Sequence, residues 1–131
     1  GATTIWERWD AETPDGQVNP GAMTSFNHYA FGAVADWLHR VVAGLAPLAA
    51  GYRQIEFRPR PGGGLTWASA RHLSPYGLVT IAWRLSEGRL VVETEVPTGA
   101  GASLVLPGQP AVELGPGRHS HSLAWPPAQA D

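Results

Sequence analysis

Apolar residues recur along this chain at two different periods. Phe31, Val34, Ala35, Leu38, Val41, Val42 and Leu45 fall at three- and four-residue steps. That spacing predicts one helix. Ser25 or Asn27 stands where an N-cap belongs, and Gly44 and Pro47 stand where the helix is expected to end. Trp37, Ala30, Gly32 and Ala33 carry the apolar surface well beyond one stripe. Such a helix expects neighbours on more than one side.

After Gly51 the period drops to two. Val79, Ile81, Trp83 and Leu85 alternate with Leu78, Thr80, Ala82 and Arg84, and Leu90, Val92 and Val96 alternate with Val91, Glu93 and Glu95. Glu87-Gly88 between these runs is a tight-turn signal, so they predict a hairpin. Residues 53–58, 65–72, 103–106, 111–114 and 118–125 predict further strands, divided by Pro61-Gly-Gly-Gly64, Pro107-Gly108 and Gly115-Pro116-Gly117. Six or seven short strands with regular turn signals predict an antiparallel β-sandwich. The fold class is therefore mainly β with an N-terminal α segment. Residues 1–50 form a loop plus one helix, and residues 51–131 form the sandwich. The tail from Pro126 is expected to be loose.

At 131 residues the chain has room for one modest domain or a small domain with an appendage. Its 44% hydrophobic content suffices for a core and argues against wholesale disorder. Its 16 glycines and 12 prolines serve as turn punctuation. The net charge is −2 and the basic residues form no patch, so nucleic acid is not an expected partner. No apolar run is long enough to cross a bilayer as a helix, and no signal peptide is visible, so no membrane partner is expected and the compartment stays open. Absence of cysteine excludes disulfides and thiolate metal sites. A start at Gly1 is read as a trimmed chain, a processed product or an excised fragment.

Candidate chemistry concentrates in the first ten residues. Glu7 lies between Trp6 and the Arg8-Trp9 pair. An acid walled by aromatic rings suits a sugar site, because flat rings stack on pyranose faces while the carboxylate handles protons. Arg8 beside it is a cation that favours the ionised acid. Glu7 reads equally as an ion-paired carboxylate near a loop, and Trp6 and Trp9 as core residues. His28 at the helix start reads as a ligand-contacting imidazole or as a ring satisfying local backbone. His119 and His121 share one strand face but lack a third ligand, so no metal site is assigned. His39 and His72 have no convincing partners. Pro61-Gly-Gly-Gly64 lacks the lysine and helix of a phosphate loop. No cofactor is called for.

Three stretches in this order and spacing resemble the C-terminal end of bacterial α-L-rhamnosidases. They are Thr4-Ile-Trp-Glu-Arg-Trp9, then Ser25-Phe-Asn-His-Tyr-Ala-Phe-Gly32, then Gly51-Tyr-Arg-Gln-Ile-Glu-Phe-Arg-Pro59 with Pro75-Tyr-Gly-Leu-Val-Thr-Ile-Ala-Trp83. The resemblance runs from Gly1 to about Gln109. It implies that residues 1–50 end an (α/α)6 six-hairpin catalytic barrel and that a β-sandwich follows. It implies Glu7 as the general base of an inverting hydrolysis and His28 as a contact to the rhamnose; Trp6, from its place beside Glu7, is a further candidate sugar contact. It implies a rhamnose-containing glycoside and the upstream barrel as partners. The family's general acid lies upstream, and nothing in these residues matches it, so the chain alone is expected to be inactive. The competing expectation is a non-catalytic sandwich that binds carbohydrate or packs between domains.

Overall fold

A computed structural model describes residues 2–126. Gly1 and most of the expected loose tail, from residue 127 onward, lie outside the described residues. Backbone packing divides the chain into two compact units, 1–37 and 38–131.

The first unit is mostly irregular. Its helical residues form two single turns, α1 (Tyr29–Gly32) and α2 (Val34–Trp37). The N-cap of α1 is His28, whose side chain makes no capping bond, whereas Ser25 Oγ accepts the Asn27 N–H one step earlier at 3.3 Å. The expected cap at Ser25 or Asn27 is thus corrected: Ser25 closes a local turn, and backbone helix bonding begins with Gly32 N–H to the His28 carbonyl. Ala11 is the only fully buried residue among the described residues of this unit.

The second unit opens with a π-helical turn, Leu38–Ala43, closed by the five-residue bond from Gly44 N–H to the His39 carbonyl at 3.1 Å. The sequence period predicts helix through Leu45. Instead Leu45 starts strand β1 (Leu45–Pro47), an element the periodicity misses because three residues carry no readable alternation. Seven more strands follow: β2 (Gln54–Phe57), β3 (Trp67–Ser74), β4 (Gly77–Ser86), β5 (Arg89–Val96), β6 (Gly101–Leu104), β7 (Val112–Leu114) and β8 (Gly117–Ala124). They form two four-stranded sheets in the orders β1-β2-β6-β7 and β3-β4-β5-β8. The unit is a β-sandwich, antiparallel at every pairing except β2 with β6, which run parallel. Parallel pairing demands a long crossover, and the β3-β4-β5 meander supplies it.

The β4–β5 hairpin turns on Glu87 and Gly88, with φ of 52° and 69°. Two positive φ values define the turn whose twist matches the flanking strands, and Gly88 occupies its second position without steric cost. Between the sheets, Leu45, Ile55, Phe57, Leu104 and Leu114 from one face Val79, Ile81, Trp83, Leu90 and Val92 from the other, all buried. Each fully buried aliphatic side chain contributes about 1.5–3 kcal/mol. The Trp83 indole N–H donates to the Val42 carbonyl at 2.9 Å, satisfying a carbonyl at the end of the π turn.

Gly44 is irreplaceable at this junction for two reasons. Its φ is +84°, and a β-carbon there would lie 2.3 Å from the Pro59 nitrogen and 2.4 Å from the Arg58 carbonyl carbon. Its carbonyl accepts the Arg58 N–H at 2.8 Å, so neither backbone can retreat without losing that bond. Gly44→Ala is therefore expected to destabilise the chain by about 3 kcal/mol or more, read from a denaturant midpoint at unchanged m value. Thr94 gives the opposite sign. It is 3% exposed in the core, and its Oγ1 has no hydrogen-bond partner. Thr94→Val keeps the shape and removes the orphan hydroxyl, so a gain of about 1 kcal/mol is expected in the same measurement.

Candidate functional site

Two strips of the first unit clasp each other through backbone bonds. Glu7 N–H donates to the Ser25 carbonyl at 2.8 Å, and His28 N–H donates to the Ile5 carbonyl at 2.8 Å. Thr4 Oγ1 donates to the Phe26 carbonyl, and the Trp6 ring meets Phe26 edge to face at 4.9 Å. A second loop closes on itself through the Glu12–Val18 bridge and the Asn19 amide on the Asp10 carbonyl at 2.9 Å.

The clasp brings Glu7 and His28 together, although twenty residues separate them in sequence. Glu7 Oε2 lies 3.8 Å from His28 Nδ1 and accepts the Ser25 N–H at 3.2 Å. The Glu7 side chain is 14% exposed and that of His28 is 24% exposed, shielded yet within reach of a ligand. The His28 ring packs on Phe31 at 4.8 Å. A cavity of about 920 Å³ opens here, with Trp6, Glu7, Trp9, Glu12, Phe31 and Val34 on its lining. His28 is not on that lining. Phe31 reads in the sequence only as a helix-core residue, yet it is 54% exposed and bridges the cavity to His28. Glu12 is a second carboxylate on the lining that the sequence pattern does not single out. Trp9 is fully exposed, so it stands as a wall without packing of its own.

Arg8 does not take the place beside Glu7 that its position in the sequence predicts. Its guanidinium forks onto Asp10 at 2.5 and 2.7 Å and reaches the Ala22 carbonyl at 3.2 Å. Planar two-point geometry with a carboxylate is the stronger interaction. The hydrogen bond from Arg8 holds the Asp10 carboxyl below the ordinary carboxylate range, and Asp10 in turn raises Arg8, with Glu7 adding a smaller attraction. The Glu7 carboxylate accepts the Ser25 N–H directly, and the His28 ring stands 3.8 Å away.

The remaining histidines serve the second unit. His119 bonds the Gly115 carbonyl at 2.8 Å, His39 the Leu45 carbonyl at 3.2 Å, and His72 stacks on Tyr52 at 4.0 Å. Among the described residues no three His, Asp or Glu groups converge as a metal site would need.

The depressed Asp10 pKa gives a pH expectation with a definite sign. Its contribution to ordering the Arg8–Asn19 loop is full above the unperturbed value of 3.8 and is lost as the pH falls through the lowered one. Arg8→Ala is expected to return the Asp10 titration, followed by its carboxyl carbon shift, to the ordinary range.

Comparison with known proteins covers both units. The family model described as bacterial alpha-L-rhamnosidase 6 hairpin glycosidase domain matches residues 1–42, and the one described as bacterial alpha-L-rhamnosidase C-terminal domain matches residues 44–121. An alpha-L-rhamnosidase of Streptomyces avermitilis is 46% identical over 107 residues, 82% of this chain and 10% of that protein. One from Formosa agariphila is 43% identical over the same share of this chain and 12% of its own length. The crystal structure of native alpha-L-rhamnosidase from Aspergillus terreus superposes with a TM-score of 0.78 at 46% identity, covering 93% of this chain and 14% of that one. The Streptomyces avermitilis enzyme complexed with L-rhamnose superposes with a TM-score of 0.77 at 37% identity, again over 93% and 14%. The chain thus spans about a tenth of the curated relatives it matches.

Proposed function

The chain belongs to the bacterial α-L-rhamnosidase family, and on that premise we propose that it is the C-terminal portion of an inverting glycoside hydrolase that releases terminal α-L-rhamnose. Glu7 is the base that takes a proton from the attacking water. His28 and Trp6 contact the sugar. The acid that protonates the leaving oxygen comes from the upstream barrel.

One observation carries the reading: the clasp between residues 5–7 and 25–28 sets a shielded carboxylate on the lining of a cavity walled by tryptophan, with the His28 imidazole behind it. Inversion requires two carboxyl groups about 6.5–9.5 Å apart, leaving room for water between base and sugar. On this reading Glu7 supplies one of them. Arg8, held by Asp10, leaves the Glu7 oxygens open to a water. The exposed apolar residues of the first unit, among them Trp9, Tyr29, Phe31, Val34 and Trp37, fit a segment that evolved among further barrel helices.

The purified chain is expected to show no turnover of an aryl α-L-rhamnoside above background, because general-acid help worth about 10²–10⁴-fold is missing. Joined to its upstream barrel it is expected to be active, and Glu7→Gln is then expected to lower kcat by at least about 10²-fold with KM little changed. Robust turnover by the isolated chain would overturn the upstream acid and direct attention to Glu12. Full activity of the Glu7→Gln enzyme would overturn the role of Glu7.

A further inference from the structure

The sheet β3-β4-β5-β8 has an outward face with an unusual relief. A groove of about 510 Å³ crosses it perpendicular to the strands, and its lining is three complete cross-strand rows. In the middle row Ala70, Ile81 and Thr94 are buried beneath the sheet and His119 is half-buried at its edge, so backbone forms most of the groove floor. One wall is the outward row Ser69–Ala82–Glu93–Ser120. The other is the outward row Arg71–Thr80–Glu95–Arg118. Three strand spacings make the groove about 14 Å long from edge to edge, and a two-residue step makes it about 7 Å wide between rows.

We propose that this groove is a non-catalytic binding site for an oligosaccharide chain. The groove shares no lining residue with the Glu7 cavity, and the proposal does not depend on the catalytic reading.

Its chemistry selects the ligand. Two arginines on its walls are balanced by two glutamates, and Arg118 and Glu95 already approach at 3.6 Å. A net-neutral groove has no attraction for nucleic acid or another polyanion. Guanidinium donors, carboxylate acceptors and three hydroxyls side by side satisfy adjacent sugar hydroxyls, which need a donor and an acceptor at short spacing. The small side chains of Ser69, Ala82 and Ser120 leave the space that a ring fills. Trp67 completes the arrangement. It pairs with Arg84 in the next outward row, is 65% exposed, and has no ring partner among the described residues. An exposed indole beside a polar groove is a stacking surface for the apolar face of a pyranose. A lipid surface would need an apolar patch that these polar rows do not offer.

The test is an amide and indole shift titration of the full chain with a rhamnose-terminated tetrasaccharide, with an unrelated maltotetraose alongside. Saturable shifts at the Ser69, Ala82 and Ser120 amides and the Trp67 indole are expected with at least one of the two oligosaccharides. Trp67→Ala is expected to weaken binding about tenfold. Ala82→Arg, which fills the groove from an exposed strand position, is expected to abolish it, whereas Glu7→Gln leaves it unchanged. Shifts confined to residues 5–31 would overturn the groove site while leaving the catalytic reading standing. Absence of any groove shift at millimolar ligand would overturn it as well. So would loss of solvent access to the Ser69, Ala82 and Ser120 amides once the upstream barrel is attached, which would assign the face to interdomain packing.

Discussion

The hydrogen bond from the buried Trp83 indole to the Val42 carbonyl is the tie on which the second unit depends. A tryptophan in the middle of a core strand must find a partner for its N–H, or it loses the benefit of its large apolar area. Here the partner is a carbonyl that a helical turn would leave orphaned at its end. Both groups are satisfied only when the π turn lies against the β4 side of the sandwich. Gly44 then lets the chain reverse with its backbone against Arg58 and Pro59, and Leu45 enters the core as the first residue of β1. Strand β1 exists because the helix stops there.

The same economy of backbone groups shapes the first unit, with less burial behind it. There the ordering comes from backbone bonds between strips 5–7 and 25–28, the loop closed by Asn19, and the Arg8–Asp10 fork. Apart from the packed Trp6–Phe26 pair, its large apolar residues remain open to solvent. Local hydrogen bonding positions Glu7 beside His28, but a reaction needs water excluded and an acid opposite the base. Both requirements fit a neighbour that belongs to the longer family members.

The sandwich was legible in the sequence because alternation reports which side chains face inward. Val79, Ile81 and Trp83 all point into the core as their period indicates, and Glu87-Gly88 forms the turn its composition indicates. Alternation carries no information about which strand lies beside which, so the parallel pairing of β2 with β6 was not legible. The helix shows the opposite limit. Its apolar period continues through Leu45, but Gly44 with φ of +84° ends helical bonding one residue earlier. Period alone does not separate a helix residue from a strand residue when both are buried.

For the candidate site, the sequence by itself determined the chemical parts: one carboxylate among tryptophans, a histidine at a helix start, and motifs whose order marks a family. It indicated a β-sandwich as well, since short alternating runs and the turn signals between them are local properties written residue by residue. Only the tertiary structure decided that Arg8 is bound to Asp10, that Glu7 accepts the Ser25 N–H with His28 nearby, and that Phe31 and Glu12 reach the same cavity. It alone revealed the transverse groove, because three residues on each of four strands meet there only through register. Pairing distant segments depends on the geometry of whole strands and loops, and no single stretch of sequence contains it.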